Sequence, residues 1–206
     1  GLAPGEQIYA ARFLGEKGYL VTFVQIDPLF TLDLSDPTAP IVEGELKIPG
    51  YSAYLHPIED GHLLGVGMDG DDNGWLTGVS ISLFDVTDAS EPIQVDRLTV
   101  DSDWSDSESL WDHHAITVHE GMLTVPVYAM SETDWDTTSS LMVVDVDPAG
   151  LSQITRIDHD DIVHGTQMRR GLFIDNYLLS ISNHGMKVHD MNQPSIDVRS
   201  VSFLTD

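Results

Sequence analysis

The chain has 206 residues, 41% of them hydrophobic, which is enough to bury a core of ordinary globular composition. Nine Lys plus Arg stand against 34 Asp plus Glu, a formal charge of −25 that repels nucleic acid and anionic lipid and attracts cations. No window approaches the apolar run of about 18 residues that a membrane helix needs, and the lack of Cys excludes disulfides, thiol nucleophiles and Cys-bound zinc.

The opening GLAPGEQ has neither Met nor an apolar leader stretch and reads as a processed or trimmed start. IYAARFL then reads as a strand, Glu16-Lys17-Gly18 as a turn and YLVTFV as a second strand. LFTLDLSDPTAPIVEGELKIPGY, residues 29–51, supplies a strand closing on Asp33, a Pro-marked turn and an alternating outer strand. The next unit runs YSAYLHPI, the turn Glu59-Asp60-Gly61, HLLGVGM, an insertion over 69–78, and ISLFDVTDASEPIQVDRLTV anchored at Asp85. The third runs HHAITV, His119-Glu120-Gly121, MLTVPVY, an insertion over 131–139, and LMVVDVDPAGLSQITRIDH anchored at Asp145. The fourth runs TQMRRGLFI, a turn near Asp175-Asn176, YLLSIS, Asn183-His184-Gly185, and MKVHDMNQPSIDVRSVSFL anchored at Asp190.

Four copies of one four-stranded sentence, with no sustained helical period, predict an all-β chain: a β-propeller of four antiparallel blades over residues 8–50, 51–100, 111–159 and 164–206. Such a chain forms either a closed small propeller or half of a larger ring. In a meander, the second-to-third loops and the blade-to-blade connections share one rim. That rim collects residues 69–78, 101–113, 131–139, 159–165 and 183–185, where acids, Trp and His are concentrated.

DPLFTLDLSDPTAPIVEGELKIPGYSAYLHPI, HLLGVGMDGD and SLFDVTDASEPIQVD closely resemble the secreted bacterial and archaeal β-propeller family distantly related to WD-repeat proteins. The match is dense over residues 11–96 and looser but in register to 125. The resemblance implies a propeller and a secreted or cell-surface setting. It implies no reaction.

Three constellations carry chemistry. Asp69-Gly70-Asp71-Asp72-Asn73-Gly74 fits the opening of a calcium loop, with Asp69, Asp71 and Asn73 as oxygen ligands and the Trp75 carbonyl following. Ser80 stands where an EF-hand has its bidentate Glu, so Asp72 or a neighbouring loop must complete the shell at an affinity in the ~10⁻⁴ M class. His113, His114 and His164, with His56, lie in or just before innermost strands, where imidazoles from different blades could converge on zinc or copper. In a strand, His113 and His114 point to opposite sides, so at most one faces the channel. His184, Met186, His189 and Met191 suit copper by ligand type, although Met on middle strands is more often core filler.

Trp75, Trp104, Trp111 and Trp135 fall in or beside the acidic loops and form candidate platforms for a carbohydrate, a cationic group or a protein. No G-x-S-x-G turn singles out a nucleophile. Asp112 beside His113, and Asp160 or Asp161 near His164, remain candidate dyads, and Asp101 with Asp103 a candidate carboxylate pair. Arg169-Arg170, the single dibasic pair, is too little for nucleic acid. The expected function is therefore a binding or scaffolding module whose acidic rim takes a cation and a protein or carbohydrate ligand. The alternative is a metal-dependent hydrolase or lyase using His113 or His114 with His164. A second copy completing a larger ring is a further expectation.

Overall fold

The computed structural model describes residues 2–23, 27–71, 75–131, 133 and 136–204. They form two compact units, residues 1–99 with 148–150, and residues 100–147 with 151–206. Each unit carries two antiparallel sheets.

In the first unit, β1 (Gln7–Leu14), β2 (Lys17–Phe23), β3 (Asp27–Asp33) and β4 (Ile41–Ile48) pair in sequence order. So do β5 (Tyr51–Ile58), β6 (His62–Gly70), β7 (Leu76–Asp85) and β8 (Ile93–Thr99). Alternation sends Tyr19, Val21, Leu29, Leu63 and Phe84 into one shared core. In the second unit, β9 (Trp104–Asp106) and β10 (Thr117–His119) both pair with β11 (Met122–Met130), which continues through β12 (Thr137–Asp147) to β13 (Gly150–Ile157). The last sheet is β14 (Met168–Ile174), β15 (Tyr177–Ser182), β16 (Gly185–Asp190) and β17 (Asp197–Ser202). Leu141, Val143 and Ile157 meet Met168 and Leu178 in the core of that unit.

The repeat read from the Asp anchors is a repeat of register. Asp33, Asp85, Asp145 and Asp190 stand opposite Lys17, His62, Met122 and Tyr177, the first residue of the second strand in each sheet. The residue after each anchor donates its N–H to a carbonyl of the first hairpin turn: Leu34 to Glu16, Val86 to Gly61, Val146 to Gly121 and Met191 to Asn176. Three anchors also close Asx turns, Asp33 accepting from the Ser35 N–H at 2.8 Å, Asp85 from Thr87 at 2.9 Å and Asp190 from Asn192 at 2.9 Å. The backbone bonds foremost at Asp33 and Asp190, and at Asp85 the Thr87 hydroxyl at 2.6 Å followed by the Thr87 N–H, hold all three carboxyls below their ordinary range. At Asp145 the strand runs on to Asp147 and the hairpin is tighter.

Some expectations need correction. The first hairpin turns at Gly15, with φ of +58°, and Lys17 and Gly18 already belong to β2. The blade-two insertion is shorter than 69–78, because β6 reaches Gly70 and β7 starts at Leu76. The third blade departs most. HHAITV is no strand: His113–Ala115 is a one-turn 3-10 helix, a second spans Glu108–Leu110, and only Thr117–His119 pairs as inner strand. Caps cause this, since the Ser107 hydroxyl accepts from the Ser109 N–H at 3.1 Å and the Asp112 carboxylate from the His114 N–H at 3.0 Å.

The innermost strand of that blade is therefore split. β9 pairs with Tyr128 to Met130, β10 with Met122 to Thr124, and residues 107–116 make an excursion between them. Pro126 of β11 sits at the break. It has no N–H to give an inner partner, and its carbonyl accepts instead from the Ser107 hydroxyl at 2.5 Å.

Candidate functional site

The excursion builds one wall of a cleft of about 270 Å³ within the second unit. Trp104 and Tyr128 lie on one face of the β9–β11 pair and meet edge to face, with centroids 6.4 Å apart and planes at 74°. Trp111 closes the first 3-10 turn, giving its N–H to the Glu108 carbonyl, and leaves 69% of its surface exposed at the cleft. The opposite wall comes from Gln167, Met168 and Arg169 at the start of β14. Arg169 Nη2 donates to Glu108 Oε1 at 2.7 Å, so an ion pair ties the excursion to the neighbouring sheet. Met168 fixes the same junction by donating its N–H to the Ser139 hydroxyl at 2.9 Å. Aromatic faces, a carboxylate and a guanidinium thus line one concavity. That set can stack on a flat or cationic group while hydrogen bonds fix its orientation.

Directly after Trp111 comes the Asp112-capped turn. The His113 and His114 rings lie 4.3 Å apart at 30°, so they share a side rather than alternating as they would in a strand. Asp112 Oδ1 lies 2.8 Å from His114 Nδ1, and Arg170 Nη2 lies 3.8 Å from Asp112 Oδ2. The His114 N–H, then its ring, hold the Asp112 carboxyl below its usual range, with a smaller contribution from Arg170. Ligand atoms of Asp112, His113 and His114 fall within 4.8 Å of one another. His164 is outside this group; it is exposed, with Nδ1 at 3.4 Å from Asp160 Oδ2. His56 belongs to the first unit, half-buried, with Nδ1 at 3.2 Å from the Tyr54 hydroxyl. Burial, and then the nearby Arg12 charge, lower its pKa.

The remaining candidates separate. Trp75 is exposed in the first unit, where its N–H donates to Asp71 Oδ1 at 2.8 Å and its carbonyl accepts from the Asp71 N–H at 2.8 Å. Asp69 Oδ1 accepts from Arg97 Nη1 at 2.7 Å, so this carboxylate already has a cation from β8. Asn73 and Trp135 lie outside the described residues. Asp101, Asp103 and Asp136 do collect at one end of the second unit, lining a cleft of about 220 Å³ with Arg156. Of the copper-type residues, His189 is buried, His184 Nδ1 lies 2.7 Å from the Thr166 hydroxyl, and Met191 packs on the core.

Sequence reasoning missed Tyr128, Glu108 and the role of Arg169 in the cleft. It also missed a buried chain in which His159 reaches Ser182 through Nδ1 at 2.9 Å and Ser180 through Nε2 at 2.8 Å. Ser180 in turn reaches His189 Nε2 at 2.9 Å. Pro126 in mid-strand was the available signal for the split, and hence for the excursion.

Four antiparallel meanders with repeated register define blades of a β-propeller. The chain belongs to the β-propeller domain family, whose sequence profile, described as "Beta propeller domain", matches residues 1–193. It is 38% identical over 205 residues to the uncharacterized protein MJ1554 of Methanocaldococcus jannaschii, covering 98% of this chain and 29% of that protein. It is 35% identical over 198 residues to an uncharacterized protein of Archaeoglobus fulgidus, covering 93% of this chain and 27% of that one. The chain thus spans under a third of the length of these curated relatives. Among solved structures, the WD40 domain of SCAP from fission yeast aligns with a TM-score of 0.47 at 14% identity, covering 96% of this chain and 45% of that one. The AfRom2 CNH domain aligns with a TM-score of 0.43 at 10% identity, covering 94% and 53%. The resemblance seen in the sequence therefore holds for the family, with relatives in archaea.

Proposed function

We propose that this β-propeller domain is a protein-binding module and that the Trp104–Trp111–Tyr128 cleft is its docking site. The observation that carries the reading is the convergence of three aromatic side chains from a strand, an excursion and a second strand beside the Glu108–Arg169 ion pair. A concavity of exposed Trp104 and Trp111 and half-buried Tyr128 with a satisfied charge pair is the composition of an interface hot spot. The net charge of −25 favours a partner segment carrying Lys or Arg, whose cation can lie on the Trp111 face. The acid-rich surface is also consistent with a secreted or cell-surface setting. The hydrolase-or-lyase alternative uses His113 or His114 with His164, and it draws no support from the Asp112–His113–His114 group, which does not include His164.

The test is panning of a random-peptide phage library on the chain, with Trp111→Ala as counter-selection. Because Trp111 is exposed, the variant should melt within a degree or two of wild type. Enrichment of basic peptides that lose at least about tenfold in affinity for Trp111→Ala is expected. Failure to enrich any peptide, with a Trp111-dependent signal on a glycan array instead, would replace a protein partner by a carbohydrate.

A further inference from the structure

We propose that the Asp112-capped turn is an open coordination site for one borderline divalent transition-metal ion, copper(II) or zinc, held by His113 and His114. It stands on observations separate from those of the aromatic cleft. The ligand atoms of Asp112, His113 and His114 lie within 4.8 Å of one another, which gathers two imidazoles and a carboxylate on one turn. The 3-10 turn puts two consecutive imidazoles on one side, rings 4.3 Å apart, an arrangement that an extended strand forbids. Both rings are exposed, so an ion can enter and water can complete the shell.

Asp112 orients the site. Its Oδ1 holds His114 twice, accepting from the backbone N–H at 3.0 Å and meeting Nδ1 at 2.8 Å. A proton on Nδ1 leaves the lone pair of Nε2 for the metal, the carboxylate–histidine pairing that fixes ring angle and raises basicity. Imidazole donors suit copper and zinc and are poor partners for magnesium. One element opposes the ion: Arg170 Nη2 sits 3.8 Å from Asp112 Oδ2 and places a fixed positive charge beside the turn. That charge supplies a test that a nonspecific acidic surface would fail.

Copper(II) or zinc chloride is titrated into the full chain by calorimetry in a non-chelating buffer, with magnesium chloride as control. One ion per chain is expected in the micromolar range, with no heat from magnesium. His113→Gln and His114→Gln, which keep polar side chains on an exposed turn, should each weaken binding at least about tenfold at unchanged melting temperature. Arg170→Met should tighten it several-fold, and His164→Ala should leave it unchanged. Retention of full affinity in either His variant would overturn the site, and so would an Arg170→Met variant that binds no more tightly than wild type.

Discussion

Lowering the pH from 7 to 4 is expected to destabilise the second unit through one buried side chain, His159. Its ring is fully buried, between the hydroxyls of Ser182 and Ser180. A neutral imidazole donates from one nitrogen and accepts at the other, a pattern that two serines can satisfy. The imidazolium must donate from both and must also be charged out of contact with water. Burial foremost, then the Lys187 charge, push His159 from 6.5 to about 4, against the opposing pull of Asp161. The folded pKa lies below the unfolded one, so between those values the unfolded chain binds more protons. Stability from this group is complete above about pH 6.5, declines as the pH falls, and is lost below about 4. The span corresponds to about 3 kcal/mol as an upper figure. His189, also lowered chiefly by burial, acts in the same direction. The depressed carboxylates Asp33, Asp85 and Asp190 lose their contributions mainly at still lower pH, as it falls through their folded values. Urea unfolding from pH 7.5 to 4, followed by tryptophan fluorescence, should show wild type losing stability faster than His159→Gln, whose amide does not titrate. Parallel curves for the two proteins, or an NMR titration of His159 near 6.5, would refute the reasoning.

Two further outcomes are expected. A Cβ on Gly171 would stand 2.5 Å from Thr124 Oγ1, so Gly171→Ala should cost about 1–3 kcal/mol. Thr124 Oγ1 is buried and has no hydrogen-bond partner among the described residues, so adding Thr124→Ala should recover part of that loss; a strictly additive double variant in urea unfolding would disprove the contact. Arg97→Ala should release the Asp69 carboxylate and enlarge any calcium-induced rise in melting temperature. At about 10 mM calcium a site of ~10⁻⁴ M affinity gains about 2.7 kcal/mol. Equal responses of variant and wild type would remove Asp69 from the calcium ligands.

What was legible in the sequence follows the local physics of each element. The Asp anchors announced themselves because each works within a few residues, through its own Asx turn or its place in the hairpin register. Asp60-Gly61 and Glu120-Gly121 were equally plain, since both residues of each pair take positive φ and so make the two-residue turn that matches strand twist. Of the four Trp residues on or beside the acidic loops, Trp75 belongs to the first unit, Trp135 lies outside the described residues, and Trp104 and Trp111 share one cleft. Their meeting depends on Tyr128 and Arg169, which arrive from strands with no local signal. Asp69 has a partner that no local pattern announces. A calcium-like spacing is a local pattern, and the arginine that takes its carboxylate enters from β8 through sheet register.

The paired histidines show why the site appears where the repeat fails. Period-two reading assumes that a segment beginning a blade is a strand, and by that rule His113 and His114 diverge. Asp112 breaks the rule by capping a turn, as Ser107 does five residues earlier in the first 3-10 helix. Pro126 removes the donor that would otherwise have asked for an inner-strand partner at that level of β11. Both sides of the ladder thus give up the same pairing. Blades that keep the full ladder spend their backbone groups on one another and present short turns. The blade that interrupts it frees residues 107–116 to carry Glu108, Trp111, Asp112, His113 and His114 on one segment, with Trp111, His113 and His114 exposed. A Pro inside an otherwise regular middle strand, preceded by Ser and Asp caps where the inner strand should run, is therefore the sequence pattern by which this blade declares its excursion.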